Sequence, residues 1–404
     1  MNRRVVAWVL YDFANSSFAA VIVATIYAAY YAGWVVGNDR GEGDLWWGRV
    51  ISLSMAIVAL SSPVLGAVAD RAGVRRSLFI GFTVLAVAAT ALMTTVEPGM
   101  VVWGFVLGVL GNVGFESALV YYNAWLPDLA PPGRQGRLSG WGFAVGYAGS
   151  IVALLAAMPF VQAEAVHAAF ATTAALFAVF ALPAFVLLPA APGAVSVAAA
   201  AREGVAEAVA TLRGVLRNVA LRRFFGAFFV YEDAVNTVIA FSAIFAAQTL
   251  GFPLERLIVL YVVVQVSALL GALAWASPTD RLGPKRVIAI TLVQWTLVSV
   301  AAWFVRTQEQ FFVLAVLAGS GLGAVQSASR ALLSRLIPDG MESRLFGFYA
   351  LCGKSAAVIG PLIFGAVSHA AGGNQRLAIL AVGTLFLVGL ALLLRVPESR
   401  AAGR

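Results

Sequence analysis

Asp12, Glu116, Glu232, Asp233, Arg330 and Lys354 all fall inside long apolar stretches of this chain. A charge at the centre of a hydrocarbon layer costs about 2.5–3.5 kcal/mol on the insertion scale, so these groups must face water or one another. Amides and hydroxyls accompany them at helical spacing. Asp12, Asn15 and Ser16 lie at i, i+3 and i+4, which places them on one helix face. Asp233, Asn236 and Thr237 repeat that spacing 221 residues later. Asn112, Glu116 and Asn123 form a second stripe, and Gln326, Ser327 and Arg330 a further group. Arg330 and Lys354 suit an anionic moiety. A carboxylate suits an ammonium group or a coupling proton, because moving a carboxyl between wet and dry surroundings changes its proton affinity. Static ion pairs, such as Glu116 with Arg330 or Asp233 with Lys354, are the competing reading.

Other chemistries lack their residues. His167 and His369 are the only histidines and lie far apart, so no metal-ligand cluster is expected. Cys352 is the only cysteine, which rules out an internal disulfide. No nucleophile–histidine pair and no phosphate-binding glycine loop supports an enzyme, and no cofactor is expected. No large soluble domain points to a scaffold or an ATP-driven pump.

The elements that position these residues follow from hydropathy. The chain has 404 residues, 61% of them hydrophobic and 11% charged, against about 25% charged in soluble domains. Lipid is therefore the expected solvent. Apolar runs at 6–33, 46–69, 77–95, 100–124, 138–159, 165–189, 221–249, 257–276, 286–305, 311–334, 344–368 and 375–396 predict twelve membrane-spanning helices. The first run is too long for a signal peptide and is read as a retained helix. With both termini in the cytoplasm, 20 of the 27 lysines and arginines fall in cytoplasmic segments and 5 outside, as the positive-inside rule requires. The net charge of +8 thus reflects membrane topology and not nucleic-acid binding. Residues 190–220 form the longest internal connection. Within it Val205, Val209, Leu212 and Leu216 share a face, as in an amphipathic helix on a lipid surface or a solvated linker helix.

The two halves repeat. Gly66, Asp70, Arg71, Gly73, Arg75 and Arg76 close the second run, and Asp280, Arg281, Gly283, Lys285 and Arg286 close the eighth, 210 residues on. Pro127-Asp128 with Arg137 and Gly140 recurs as Pro338-Asp339 with Arg344 and Gly347. The expected architecture is an all-α membrane protein of two pseudo-symmetric six-helix bundles, 1–189 and 221–404. Gly66 would let helices approach closely, Gly73 would permit a tight turn, and Asp70 would cap a helix or pair with an arginine across the interface of the halves. Together with Arg137 and Arg344 these loops form a candidate cytoplasmic gate. Trp8, Trp34, Trp46, Trp47 and Trp125 are expected as interfacial anchors. Gly142/Gly146 and Gly319/Gly323 are expected to allow close helix packing.

The G-x-x-x-D-R-x-G-x-[RK]-[RK] pattern resembles the loop signature of the major facilitator superfamily. Five further motifs resemble its autophagy-associated vacuole-effluxer-like family: Tyr11 to Phe18, Tyr122 to Asp128, Tyr231 to Thr237, Ser329 to Pro338, and Gly353-Lys354 with Gly360-Pro361. Glu232 and Ala234 depart from the amide and glycine of that family's pattern. The resemblance implies solute export or uptake, and amino-acid efflux from vacuoles in its fungal members. The expected function is gradient-driven or facilitative movement of a small polar solute, amino acids favoured, with protons as the coupling partner. The chain is expected as a monomer in the cell inner membrane, without nucleic-acid partners. Export of amphipathic drugs or lipids is the alternative.

Overall fold

The computed structural model describes residues 2–129, 135–190, 193, 195–338 and 341–398. Backbone groups in hydrocarbon must satisfy one another, so long apolar runs become helices. In chain order these are α1 (Arg3–Phe18), α2 (Ile26–Tyr30), α3 (Glu42–Arg71), α4 (Arg75–Leu92), α5 (Val101–Ala124), α6 (Leu126–Leu129), α7 (Gln135–Gln162) and α8 (Val166–Leu187). They continue as α9 (Val197–Arg217), α10 (Val219–Leu250), α11 (Leu254–Leu282), α12 (Pro284–Phe304), α13 (Gln308–Leu336), α14 (Glu342–Ser355), α15 (Ile359–Ala370) and α16 (Gln375–Leu394). Among the described residues, twelve spans are long and apolar enough to cross a membrane.

Two spans are not the uninterrupted helices that hydropathy suggests. The first span runs from Arg3 to Val36 but contains π-helical stretches at Ala19–Val23 and Tyr31–Val36, with a break at Ala24 and Thr25. The Thr25 hydroxyl donates to the Ala20 carbonyl there, satisfying an acceptor that the break leaves over. The segment beyond is pinned by three tyrosines. Tyr27 donates to Gly104 O (2.8 Å), Tyr30 to Val96 O (2.9 Å) and Tyr31 to Val101 O (3.0 Å). The eleventh span, Leu345–Ala370, is divided at Ala356–Val358 into α14 and α15.

The chain divides into two compact units, one of residues 1–36 and 53–207, the other of 37–52 and 208–404. In the first, α1 packs on α7 and α8, and α4 on α5 and α8. In the second, α10 packs on α15 and α16, and α12 on α13 and α16. Counted by spans, the pairings one–five, one–six, three–four and three–six recur as seven–eleven, seven–twelve, nine–ten and nine–twelve. The duplication seen in the loop motifs is thus a duplication of packing.

Small residues set the spacing within each unit. Along α11 and α13, a Cβ on Gly271 or Gly323 would enter the backbone of the partner helix, and one on Gly319 would lie 2.8 Å from Val264 O. This bears out the expectation for Gly319 and Gly323.

The connection between the halves holds α9. Ala200, Gly204, Thr211 and Val215 form its buried face, with Gly204 against Pro63 and Ala67 of α3. Val205, Val209, Leu212 and Leu216 form a separate exposed stripe. The sequence periodicity located that stripe correctly, but small residues on a different face make the protein contact.

Candidate functional site

In the first unit, the polar triplet of α1 converges on α5 and α7. The Tyr122 hydroxyl donates to Asp12 Oδ2 at 2.7 Å, and Asn15 Nδ2 lies 3.5 Å from Asp12 Oδ1. Trp8 stacks on the Tyr122 ring at 4.5 Å and donates its indole N–H to the Tyr122 carbonyl (3.0 Å), so Tyr122 is held at both ends. Glycines of α7 make room. A Cβ on Gly142 would overlap Asp12 Oδ2, and one on Gly146 would lie 2.8 Å from Ser16 Oγ. Asn15 is buried, while Asp12 and Ser16 keep partial exposure.

The second unit repeats the arrangement with different atoms. Asp233 on α10 accepts the Gly360 N–H at 2.7 Å, from the first turn of α15. Thr237 Oγ1 donates back to Asp233 O (2.6 Å), and Asn236 Nδ2 lies 3.5 Å from Gly353 O. Asp233 and Thr237 are buried, so two of these three residues face their own unit's fifth helix and not an open surface. One residue earlier, Glu232 lies within electrostatic reach of Arg330, which also approaches the Tyr349 hydroxyl. The Cys352 thiol belongs to the same group.

The other expected site residues are dispersed. Asn112 is buried and donates to Ser54 Oγ at 2.6 Å. Glu116 and Lys354 are half-buried, whereas Asn123, Gln326 and Arg330 are exposed. What is brought together in each unit is a carboxylate, an amide and a hydroxyl on one helix, backed by glycines of another. Such a set can exchange protons and bind polar groups without any cofactor.

The comparisons with known proteins agree with this architecture. Residues 49–403 match the family model described as vacuole effluxer Atg22 like. The chain belongs to that family. An uncharacterized MFS-type transporter, YxiO of Bacillus subtilis, is 28% identical over 97% of this chain and 94% of its own length. Autophagy-related protein 22 of Candida glabrata is 27% identical over 38% of this chain and 30% of that protein. Among solved structures, the nucleoside transporter NupG superposes with a TM-score of 0.74 at 16% identity, covering 98% of each chain. A D-xylose–proton symporter gives 0.68 at 16% identity over 98% of each chain. The fold is therefore that of the major facilitator superfamily, and the chain is a multi-pass membrane transporter and not an enzyme.

In this member of the Atg22-like family, the loop arginines are tied down within their own unit. Arg71 forms ion pairs with Glu203 and Glu207 of α9. Arg75 reaches Asp128 at 2.8 Å and the Ala124 carbonyl at 3.2 Å, and it lies over the Trp125 ring. Arg76 donates to the Phe185 carbonyl at 2.9 Å. Gly73 (φ 71°) and Gly283 (φ 87°) adopt the left-handed backbone that a tight turn needs. Arg281 is exposed. The side chains of Asp70, Arg137, Asp280 and Arg344 lie outside the described residues.

Two expectations need correction. A Cβ on Gly66 would meet open space, so this glycine does not serve close helix approach. Gly66→Ala is therefore expected to keep or raise thermal stability, by about 0.5–1 kcal/mol, since glycine weakens a helix interior. A clear drop in the unfolding temperature of the purified variant would refute this. Second, Trp8, Trp47 and Trp125 are buried and not interfacial. Their indole N–H groups donate to Tyr122 O, Ala240 O and Pro189 O. Trp34 is exposed and Trp46 half-exposed, with Arg49 over the Trp46 ring.

One polar centre is absent from the sequence-based set. Asp44, in the first turn of α3, is fully buried. It accepts Asn38 Nδ2 (3.0 Å), Gln375 Nε2 (2.8 and 3.1 Å) and the Ser368 hydroxyl. Its own N–H donates to Asn38 Oδ1 at 2.9 Å. In the sequence, Asp44 stands in the charged run Asn38-Asp39-Arg40-Gly41-Glu42-Gly43-Asp44 and looks solvated. Only the polar Ser368 and Gln375 flanking the last connection hinted at a partner.

Proposed function

We propose that the protein moves a small polar solute carrying both charge signs, amino acids being the favoured class, by proton-linked alternating access in the cell inner membrane. The observation that carries this reading is the pair of matching sites, Asp12/Asn15/Ser16 and Asp233/Asn236/Thr237, each on the first helix of a repeat and backed by glycines of the fifth. Within the second unit, the Glu232 carboxylate, the Asn236 amide and the cations Arg330 and Lys354 offer partners for an ammonium and a carboxylate on one solute. The family description, vacuole effluxer, supports a solute carrier, and the resemblance to fungal members favours amino acids among solutes. The excess of positive charge assigned to one side, 20 of 27 basic residues, supports cytoplasmic termini. A monomer suffices, since each chain carries both halves.

A thermal-shift screen of the purified protein against amino acids, peptides and organic anions tests the class, because a ligand of the folded state raises its apparent stability. Glu116→Gln and Lys354→Ala are each expected to abolish uptake of the solute so identified, with folded protein still present in the membrane. Normal uptake by both variants in proteoliposomes would remove these charges from the mechanism. Export of amphipathic drugs or lipids, the alternative, would appear as stabilisation by hydrophobic cations and none by amino acids.

A further inference from the structure

The eleventh span is broken part-way along its length. α14 ends at Ser355 and α15 begins at Ile359, while both belong to the single span Leu345–Ala370. Such a break strands N–H groups at the start of the second piece. Asp233 of α10 meets that need. Its Oδ2 accepts the Gly360 N–H at 2.7 Å, and the Ile359 N–H lies within reach of the same carboxyl.

The other oxygen is not accounted for. Asp233 is 2% exposed, and its Oδ1 is enclosed without a hydrogen-bond partner. A Cβ on Gly360 would come within 3.0 Å of Oδ1 and would overlap Thr237 Oγ1, so the absent side chain is what admits the carboxyl here. No salt bridge to Asp233 occurs among the described residues. The ionisable groups nearest to it in sequence position on the helices packed around it include Glu232 and Tyr231 on α10, Arg330 on α13, and Tyr349, Cys352 and Lys354 on α14; Arg222, Arg223, Glu309 and Arg335 lie toward the ends of α10 and α13. α15 contributes His369 and α16 contributes Arg376. His369 is nine residues beyond Gly360, roughly 13 Å along the helix.

We propose that Asp233 Oδ1 is the seat of the coupling proton and that the α14–α15 joint is the element its occupancy biases. The proposal rests on the proton-linked reading given above. A carboxylate at a helix N-terminus is stabilised by the N–H groups and the dipole, which favours the empty, charged form. Enclosure of Oδ1 without a donor favours the loaded, neutral form. The two tendencies oppose each other across a three-residue joint, Ala356–Val358, which is tied to α14 by the Ala356 N–H on the Cys352 carbonyl (2.9 Å) and interrupts the helix before α15. Opening the joint withdraws the N–H groups and strengthens proton binding; closing it does the reverse. A metal cation would need several oxygen ligands around Oδ1, whereas a proton needs none.

Infrared difference spectra of the purified protein in liposomes, recorded between alkaline and acidic buffer, test the assignment. The expected result is a protonated-carboxyl C=O band that grows with acid in the parent protein. It is absent from Asp233→Asn, whose side-chain oxygen can still accept the Gly360 N–H, and shifted in Asp233→Glu, which guards against a fold-related loss. A band unchanged in Asp233→Asn, the absence of any acid-induced carboxyl band, or a spectrum that responds to sodium and not to pH would each overturn the proposal. The amino-acid thermal shift is read separately. A ligand shift without the band refutes the proton seat and leaves the solute class standing. A band without a ligand shift supports the seat and refutes the solute class.

Discussion

Asp44→Ala is expected to be among the most destabilising single substitutions in the chain, although Asp44 reads as a loop residue. The carboxylate receives donors from Asn38, Gln375 and Ser368 and is fully buried. Its removal leaves those donors without an acceptor in a place that water does not reach. Each buried donor left unmade costs about 1–3 kcal/mol, and two or three such losses are comparable with the whole stability of many domains. Asp44→Asn should be intermediate. It keeps one acceptor oxygen but turns an N–H₂ toward the donors of Ser368 or Gln375. The check is the apparent unfolding temperature of the three purified proteins in one detergent. The order expected is parent, then Asp44→Asn, then Asp44→Ala, and coincident curves for parent and Asp44→Ala would show that the site is not the closed polar centre described.

The second large effect lies between α1 and α7. A Cβ on Gly149 would overlap the Phe13 carbonyl and stand 2.7 Å from Phe13 Cα. Both are backbone atoms, so no side-chain rotation can relieve the clash and the helices must separate. Overpacking typically costs about 1–3 kcal/mol and more where neighbours cannot yield. Gly149→Val is expected at or above the top of that range, with little monodisperse protein recovered from membranes. Gly146→Ala supplies the contrast. Its Cβ would lie 2.8 Å from Ser16 Oγ, the tip of a side chain that can turn away, and its cost should stay near 1 kcal/mol or below. Equal recoveries of the two variants, measured by size-exclusion chromatography of fluorescent fusions, would contradict the backbone-contact argument.

These two sites show what was legible in the sequence and what was not. Hydropathy found the spans because burying backbone in lipid forces helices, and that constraint acts residue by residue. The duplication was legible because the loop motifs and the Asp12 and Asp233 triplets recur at nearly constant offsets. Partners were not. Asp44 carries the same local signature as its neighbours Asp39 and Glu42, and its donors at Ser368 and Gln375 come from the far end of the chain. Tryptophan position misled for a related reason. Trp8, Trp47 and Trp125 stand near span ends, as interfacial residues do, but each is itself buried and has a backbone carbonyl to accept its N–H. The breaks at Ala24–Thr25 and Ala356–Val358 left no mark on hydropathy, since alanine, valine and threonine suit either side of a break. Gly66 failed because a small residue permits close approach without requiring it.

The Asp44 centre also imposes an order of events during synthesis. Its donors Ser368 and Gln375 lie 324 and 331 residues further along the chain. At translation rates of about 5–20 residues per second, Asp44 leaves the ribosome roughly 15–65 s before they do. Through that interval the nascent protein holds a carboxylate whose final acceptor role has no donors except Asn38. Closure of this site therefore cannot precede emergence of the eleventh span and the start of the twelfth. Nascent chains stalled before Ser368 should present the Gly37–Ser52 segment to proteases that the finished protein resists, making Asp44 a marker of completed assembly.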